Sequence, residues 1–122
     1  MTVTNNYRRM VKTAAEEGID AVISGAGLPL DLPDIIGDMP IMAAPVVSSA
    51  KAAGTISALW QKRFGKIPDF IVAEGSMAGG HLGFGEEELL KEACKPLSQI
   101  VKEIKHMLPE IPLFAGGGIF DR

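Results

Sequence analysis

The stretch DFIVAEGSMAGGHLGFGEEE, residues 69–88, decides how this chain is read. It opens with a short apolar run, Phe70 to Ala73, crosses a loop with five glycines and one histidine, and closes on three glutamates. The apolar run has the length and residue types of a buried strand. Glycine after a strand permits positive φ and lets backbone N–H groups approach a ligand closely. Glu86, Glu87 and Glu88 suit the first turn of a helix, where the dipole favours negative charge. The unit is therefore strand, glycine loop, helix.

The same unit recurs on either side. Upstream, IDAVIS (19–24) ends at GAGLP, and PIMAAPVV (40–47) leads into Ser48 and Ser49; downstream, IPLFAGGGI (111–119) ends in glycines. Between these runs the apolar spacing becomes helical. From Asn5 to Glu17 it picks out Tyr7, Met10, Val11, Ala14 and Ala15, with Asn5 or Asn6 as N-cap and Gly18 as the stop. Asp31 and Pro33 open a brief helical turn through Ile36. Ser48 or Ser49 caps a helix carrying Ala52, Ala53, Ile56, Trp60 and Phe64 inward, and Gly65 ends it. Residues 86–107 read as helix with Leu90, Leu97, Ile100, Val101 and Ile104 inside, broken at Pro96 because proline lacks the N–H the helix needs.

Buried strands alternating with helices predict an α/β fold with a parallel sheet of right-handed crossovers. Two architectures fit about four such strands: a partial (β/α)8 barrel, or an open flavodoxin-like sheet. A closed barrel takes eight strands and about 250 residues. The 122 residues are thus read as one partial barrel domain over 1–122. Both edges of such a sheet stay open, which predicts self-association through them.

Composition narrows the function classes. A net charge of −3 without a Lys/Arg cluster, and only 6% aromatics, argue against nucleic acid. No apolar run approaches a membrane span, and MTVTNNYRRM has no signal-peptide core. A single cysteine, Cys94, fits a reducing, cytoplasmic setting and reads as a small core residue on a helix. His81 and His106 have no metal-ligand spacing, GAGLPL lacks the third glycine of a dinucleotide fingerprint, and no P-loop occurs. His106 reads as a surface residue at a helix C-terminus.

What remains is the set of small-residue loops SGAGLP, EGSMAGGHLG and AGGGI. Parallel sheets bind ligands at the C-terminal ends of their strands. Two neighbouring glycine loops suit a phosphate, although glycine also serves simply to end strands and open turns. His81 is the titratable group inside one of these loops. Its ordinary pKa near 6.5 suits proton transfer at neutral pH, and a structural loop histidine fits the residues equally well.

DAVISGAGLPLDLP, APVVSSAKAA, PDFIVAEGSMAGGHLGF and IPLFAGGGIFDR together resemble the nitronate monooxygenase family, formerly the 2-nitropropane dioxygenases. The FMN-dependent enoyl-ACP reductases are close relatives. The resemblance spans nearly the whole chain and matches the central part of the family's barrel, about strands four to seven. It implies an FMN-containing TIM barrel that oxidises alkyl nitronates or nitroalkanes with O₂. It makes His81, in A-G-G-H-x-G, the base. Gly79 and Gly80 then lie against the cofactor, and Gly117 and Gly118 hold the FMN phosphate. Glu74 stands where the family often has a flavin-contacting glutamine, and Gly116 replaces an alanine. The first, second and eighth strands are missing from the match. Two other functions therefore stand beside nitronate oxidation: enoyl-ACP reduction with NAD(P)H, and a catalytically silent half-barrel.

Overall fold

The computed structural model describes residues 3–79 and 94–119. Helix α1 (Val3–Glu16) is followed by β1 (Ala21–Ser24), the short α2 (Leu32–Ile36) and β2 (Met42–Val47). Then come α3 (Ala50–Phe64), β3 (Ile71–Glu74), α4 (Leu97–Met107) and β4 (Leu113–Gly116). All three strand pairings are parallel, and the strands lie in the order β1-β2-β3-β4. That order separates the two expected architectures. A doubly wound sheet reverses direction at a switch point, whereas here each crossover advances to the next strand, as in a barrel.

The sheet is consequently two-faced. Parallel partners share a face, so register sorts the side chains. Ala43, Val47, Ile71 and Ala73 are buried on the face the helices cover, with Ile56 and Trp60 of α3 and Ile100 and Ile104 of α4. The alternate residues Ile23, Met42, Val46, Val72 and Phe114 point to the other face, which corresponds to a barrel interior. There Ile23 is 56% and Phe114 60% exposed, Phe114 stacking edge-on with Phe70 at 5.2 Å between centroids.

Local chemistry explains the boundaries. The Ser49 side chain accepts from the Ala52 N–H at 3.1 Å, and Gly65 closes α3 in the left-handed region at φ +66. Gly18, at φ +83, follows α1. Asn5 and Asn6 lie inside α1 rather than capping it, since the helix begins at Val3. Pro96 occupies the N-cap position of α4, with φ −62 already set for a helix start. The expected inward residues before it, with Glu86 to Glu88, lie outside the described residues. Cys94 is partly buried but precedes α4 in a non-helical segment, because Pro96 keeps the helix from extending back to it. His106 is exposed in the last turn of α4, as expected.

Several ties are not visible in the apolar pattern. The Trp60 indole N–H donates to the Pro29 carbonyl at 3.0 Å inside the core, anchoring the loop after β1. Tyr7 of α1 donates its hydroxyl to Ser24 at the end of β1, at 2.7 Å. An Asp69 carboxylate oxygen accepts from the Ala43 N–H at 2.8 Å, aligning the starts of β2 and β3. No helix among the described residues is long and apolar enough to cross a membrane.

Candidate active site at the strand ends

The C-terminal ends of the four strands converge on two clefts. One, of about 550 Å³, is lined by Gly25, Gly27, Val46, Ser48, Ser49 and Glu74. The other, of about 440 Å³, is lined by Val72, Glu74, Ala78, Gly79, Gly116 and Gly117. Glu74, the last residue of β3, belongs to both. Strand parity turns it towards the same face as Val72, and in register it stands beside Gly116.

The two glycine loops meet here. The Gly75 N–H donates to the Gly116 carbonyl at 2.8 Å, and the Ala78 N–H donates to the Gly75 carbonyl at 3.1 Å. A Cβ at Gly117 would lie 2.9 Å from the Ala78 nitrogen and from the Gly75 oxygen. Gly117 also has φ +96, a conformation side chains disfavour. Its glycine is thus required by the contact between loops. At Gly79 and Gly116 an added Cβ would meet nothing within 4 Å. Both line the second cleft, so their bare backbone leaves room there for an incoming group. Gly118, at φ +82, sits beside Met77 on an outer cleft between the loops and α4.

Of the expected site residues, Glu74, Gly79 and Gly117 come together around one cleft, and Gly118 adjoins it through Gly117. His81 and Gly80 lie outside the described residues. The sequence reading passed over Ser48, Gly25 and Gly27 as site residues. Their signal was position, each lying just past a strand end. Among the described residues, no three metal-ligating side chains gather in one place.

The nitronate monooxygenase family model matches residues 1–122. The chain belongs to the nitronate monooxygenase family. No curated protein matches it. Among solved structures, nitroalkane oxidase from Streptomyces ansochromogenes is similar at TM-score 0.72 and 20% identity, over 93% of this chain and 31% of that one. FabK from Thermotoga maritima is similar at TM-score 0.70 and 27% identity, over 92% of this chain and 30% of that one. A point mutant of that FabK superposes at TM-score 0.69. The chain spans about a third of the length of these proteins. They are TIM-barrel enzymes, in keeping with the strand order. The family is one of oxidoreductases.

The strand ends fit a flavin phosphate on their own chemistry. An anion of that kind is held by backbone N–H groups where no Cβ intervenes. Gly116 to Gly118 present three successive residues without Cβ, two of them at positive φ.

Proposed function

We propose that this chain carries the catalytic strand ends of an FMN-dependent oxidoreductase acting on nitroalkanes or their nitronates with O₂. The observation that supports it most is the meeting of the two family motifs. AGGHLG and AGGGI are far apart in sequence, yet Gly75 is bonded to Gly116 and Gly117 abuts Ala78. The start of the first motif, Ala78 and Gly79, thereby borders the same cleft as Gly116 and Gly117.

The residues divide the work. Gly117 and Gly118 hold the phosphate through their amides, and Gly79 and Gly80 admit the ring at close range. FMN would supply the redox chemistry between substrate and O₂ when bound there. His81 removes the α-proton of the nitroalkane, leaving the C–H electron pair on the substrate as its nitronate. Small side chains, Ala78 among them, leave the cleft open, and Glu74 borders it. The domain is read as one unit over 1–122, and the medium as cytoplasmic.

Purification in excess FMN tests the proposal. A yellow protein with one flavin per chain and nitroalkane-dependent oxygen uptake is expected. A colourless protein that binds no FMN would overturn it for this chain and favour a silent half-barrel. The 27% identity to FabK supports a second reading, an enoyl-ACP reductase using NAD(P)H. NAD(P)H consumption with an enoyl thioester, without nitroalkane-driven oxygen uptake, would select that one.

A further inference from the structure

The registers of the four strands carry the stagger of a closing barrel. Val46, Val72 and Phe114 form one row of neighbours across the sheet. Ser24, the last residue of β1, is opposite Pro45, so this row passes one place beyond it, at Gly25. The row thus meets β1 at its fifth place and β4 at its second, a drift of three residues over three junctions. An eight-stranded barrel of shear 8 drifts by about one residue per junction, the same average.

Four strands of eight describe half a circle, which leaves two free edges and a concave face. β1 is open on the side away from β2, and β4 on the side away from β3. The strands all run one way, so the β4 edge of one copy accepts the β1 edge of another in parallel. Head-to-tail contacts make a closed ring when their rotation closes. Here a half turn about the barrel axis makes the same junction twice, and two copies use up both edges. The concave face is apolar at Ile23, Met42, Val46, Val72 and Phe114, and Ile23 and Phe114 are more than half exposed on it. Parallel sheets are stable when both faces are covered.

We infer that two copies of this chain close into one eight-stranded barrel, β4 of each pairing in parallel with β1 of the other. One further residue of drift fixes the new junction. Phe114 then falls opposite Ala21 of the second copy, and Gly116 opposite its Ile23. A large inward residue meets a small one at both levels, as the filled interior of a small barrel requires. The same junction brings Gly25 and Gly27 of the second copy beside the 116–118 loop, so the partner walls the cleft at β4. Closure depends on the sheet alone, so it holds whether or not FMN binds.

The test combines mass with site-directed cross-linking. The 122-residue chain is expected to sediment as one species of twice 12.9 kDa. In a Cys94→Ser background, Ala21→Cys combined with Phe114→Cys is expected to oxidise to a covalent dimer. Directly paired strands lie about 4.8 Å apart, within disulfide reach, whereas β1 and β4 of one copy are about 14 Å apart. Ile23→Cys with Phe114→Cys, displaced to about 8 Å, is expected not to cross-link. Neither Ala21→Cys nor Phe114→Cys alone is expected to do so. Should the variants fold poorly, the wild-type mass decides. A monomer, or a series of ever larger oligomers, would overturn closure. So would a dimer cross-linked by either single cysteine, since like edges would then be paired, or one cross-linked only through Ile23→Cys with Phe114→Cys.

Discussion

Ser49 shows how much one side chain contributes to the geometry of this site. Its hydroxyl caps α3, and its residue also lines the first cleft. Ser49→Ala is expected to cost about 1 kcal/mol, read by denaturant unfolding, because the Ala52 N–H loses its partner. Gly117 acts through what it lacks. Gly117→Ala would place a methyl group 2.9 Å from backbone atoms of the neighbouring loop at φ +96, where the neighbour cannot rotate away. A cost of about 1–3 kcal/mol is expected, with weaker FMN binding measured by fluorescence titration. His81→Ala is expected to leave FMN bound and lower turnover about a hundredfold, the contribution of a positioned base. Unchanged turnover would return His81 to a structural loop residue.

At the scale of elements, α1 and α3 hold the loops that bear the clefts. Trp60 is fully buried in α3 and reaches across to Pro29. Trp60→Ala is expected to cost about 3–5 kcal/mol and to release the loop after β1, visible as faster amide exchange there. Tyr7 ties α1 to the end of β1 through Ser24. Burial pushes the Tyr7 hydroxyl above its ordinary pKa of 10.0, more than the Ser24 bond lowers it. The folded state therefore holds this proton more tightly than the unfolded state does. Its contribution is fully present below the unfolded value and declines as pH rises from about 10 through the folded value. Thermal unfolding is expected to show that alkaline loss in wild type and a shallower one in Tyr7→Phe.

The whole molecule is governed by its two-faced sheet. Helices cover one face, and Ile23, Met42 and Phe114 remain exposed on the other. Apolar side chains beside open strand edges favour association. The 122-residue chain is expected to run larger than a monomer in light scattering, and paired Ile23→Lys and Phe114→Lys substitutions to shift it towards monomer. Unaltered monomeric behaviour of wild type would rule this out.

Much of this arrangement was legible in the residues. Short apolar runs marked the strands, helical spacing and the Asp31–Pro33 start marked the helices, and glycine or serine at their ends marked the boundaries at Gly18, Ser49 and Gly65. These signals are local, because capping and φ preference act within one turn. Asn5 and Asn6 misled for the same reason: either can cap, but the helix gains backbone bonds by starting earlier at Val3. The quoted motifs also carried the family resemblance, and they placed Glu74 at a strand end with Gly79 in the loop after it. Contacts between distant segments were not legible. No spacing rule relates Trp60 to Pro29, Tyr7 to Ser24, or Gly117 to Ala78. Strand order was likewise open, since alternating strands and helices fit both a barrel and a doubly wound sheet. Only tertiary structure decided that each crossover advances one way, gathering the glycine loops around Glu74. That choice depends on which faces bury one another, a property of the packed chain that no short segment holds alone.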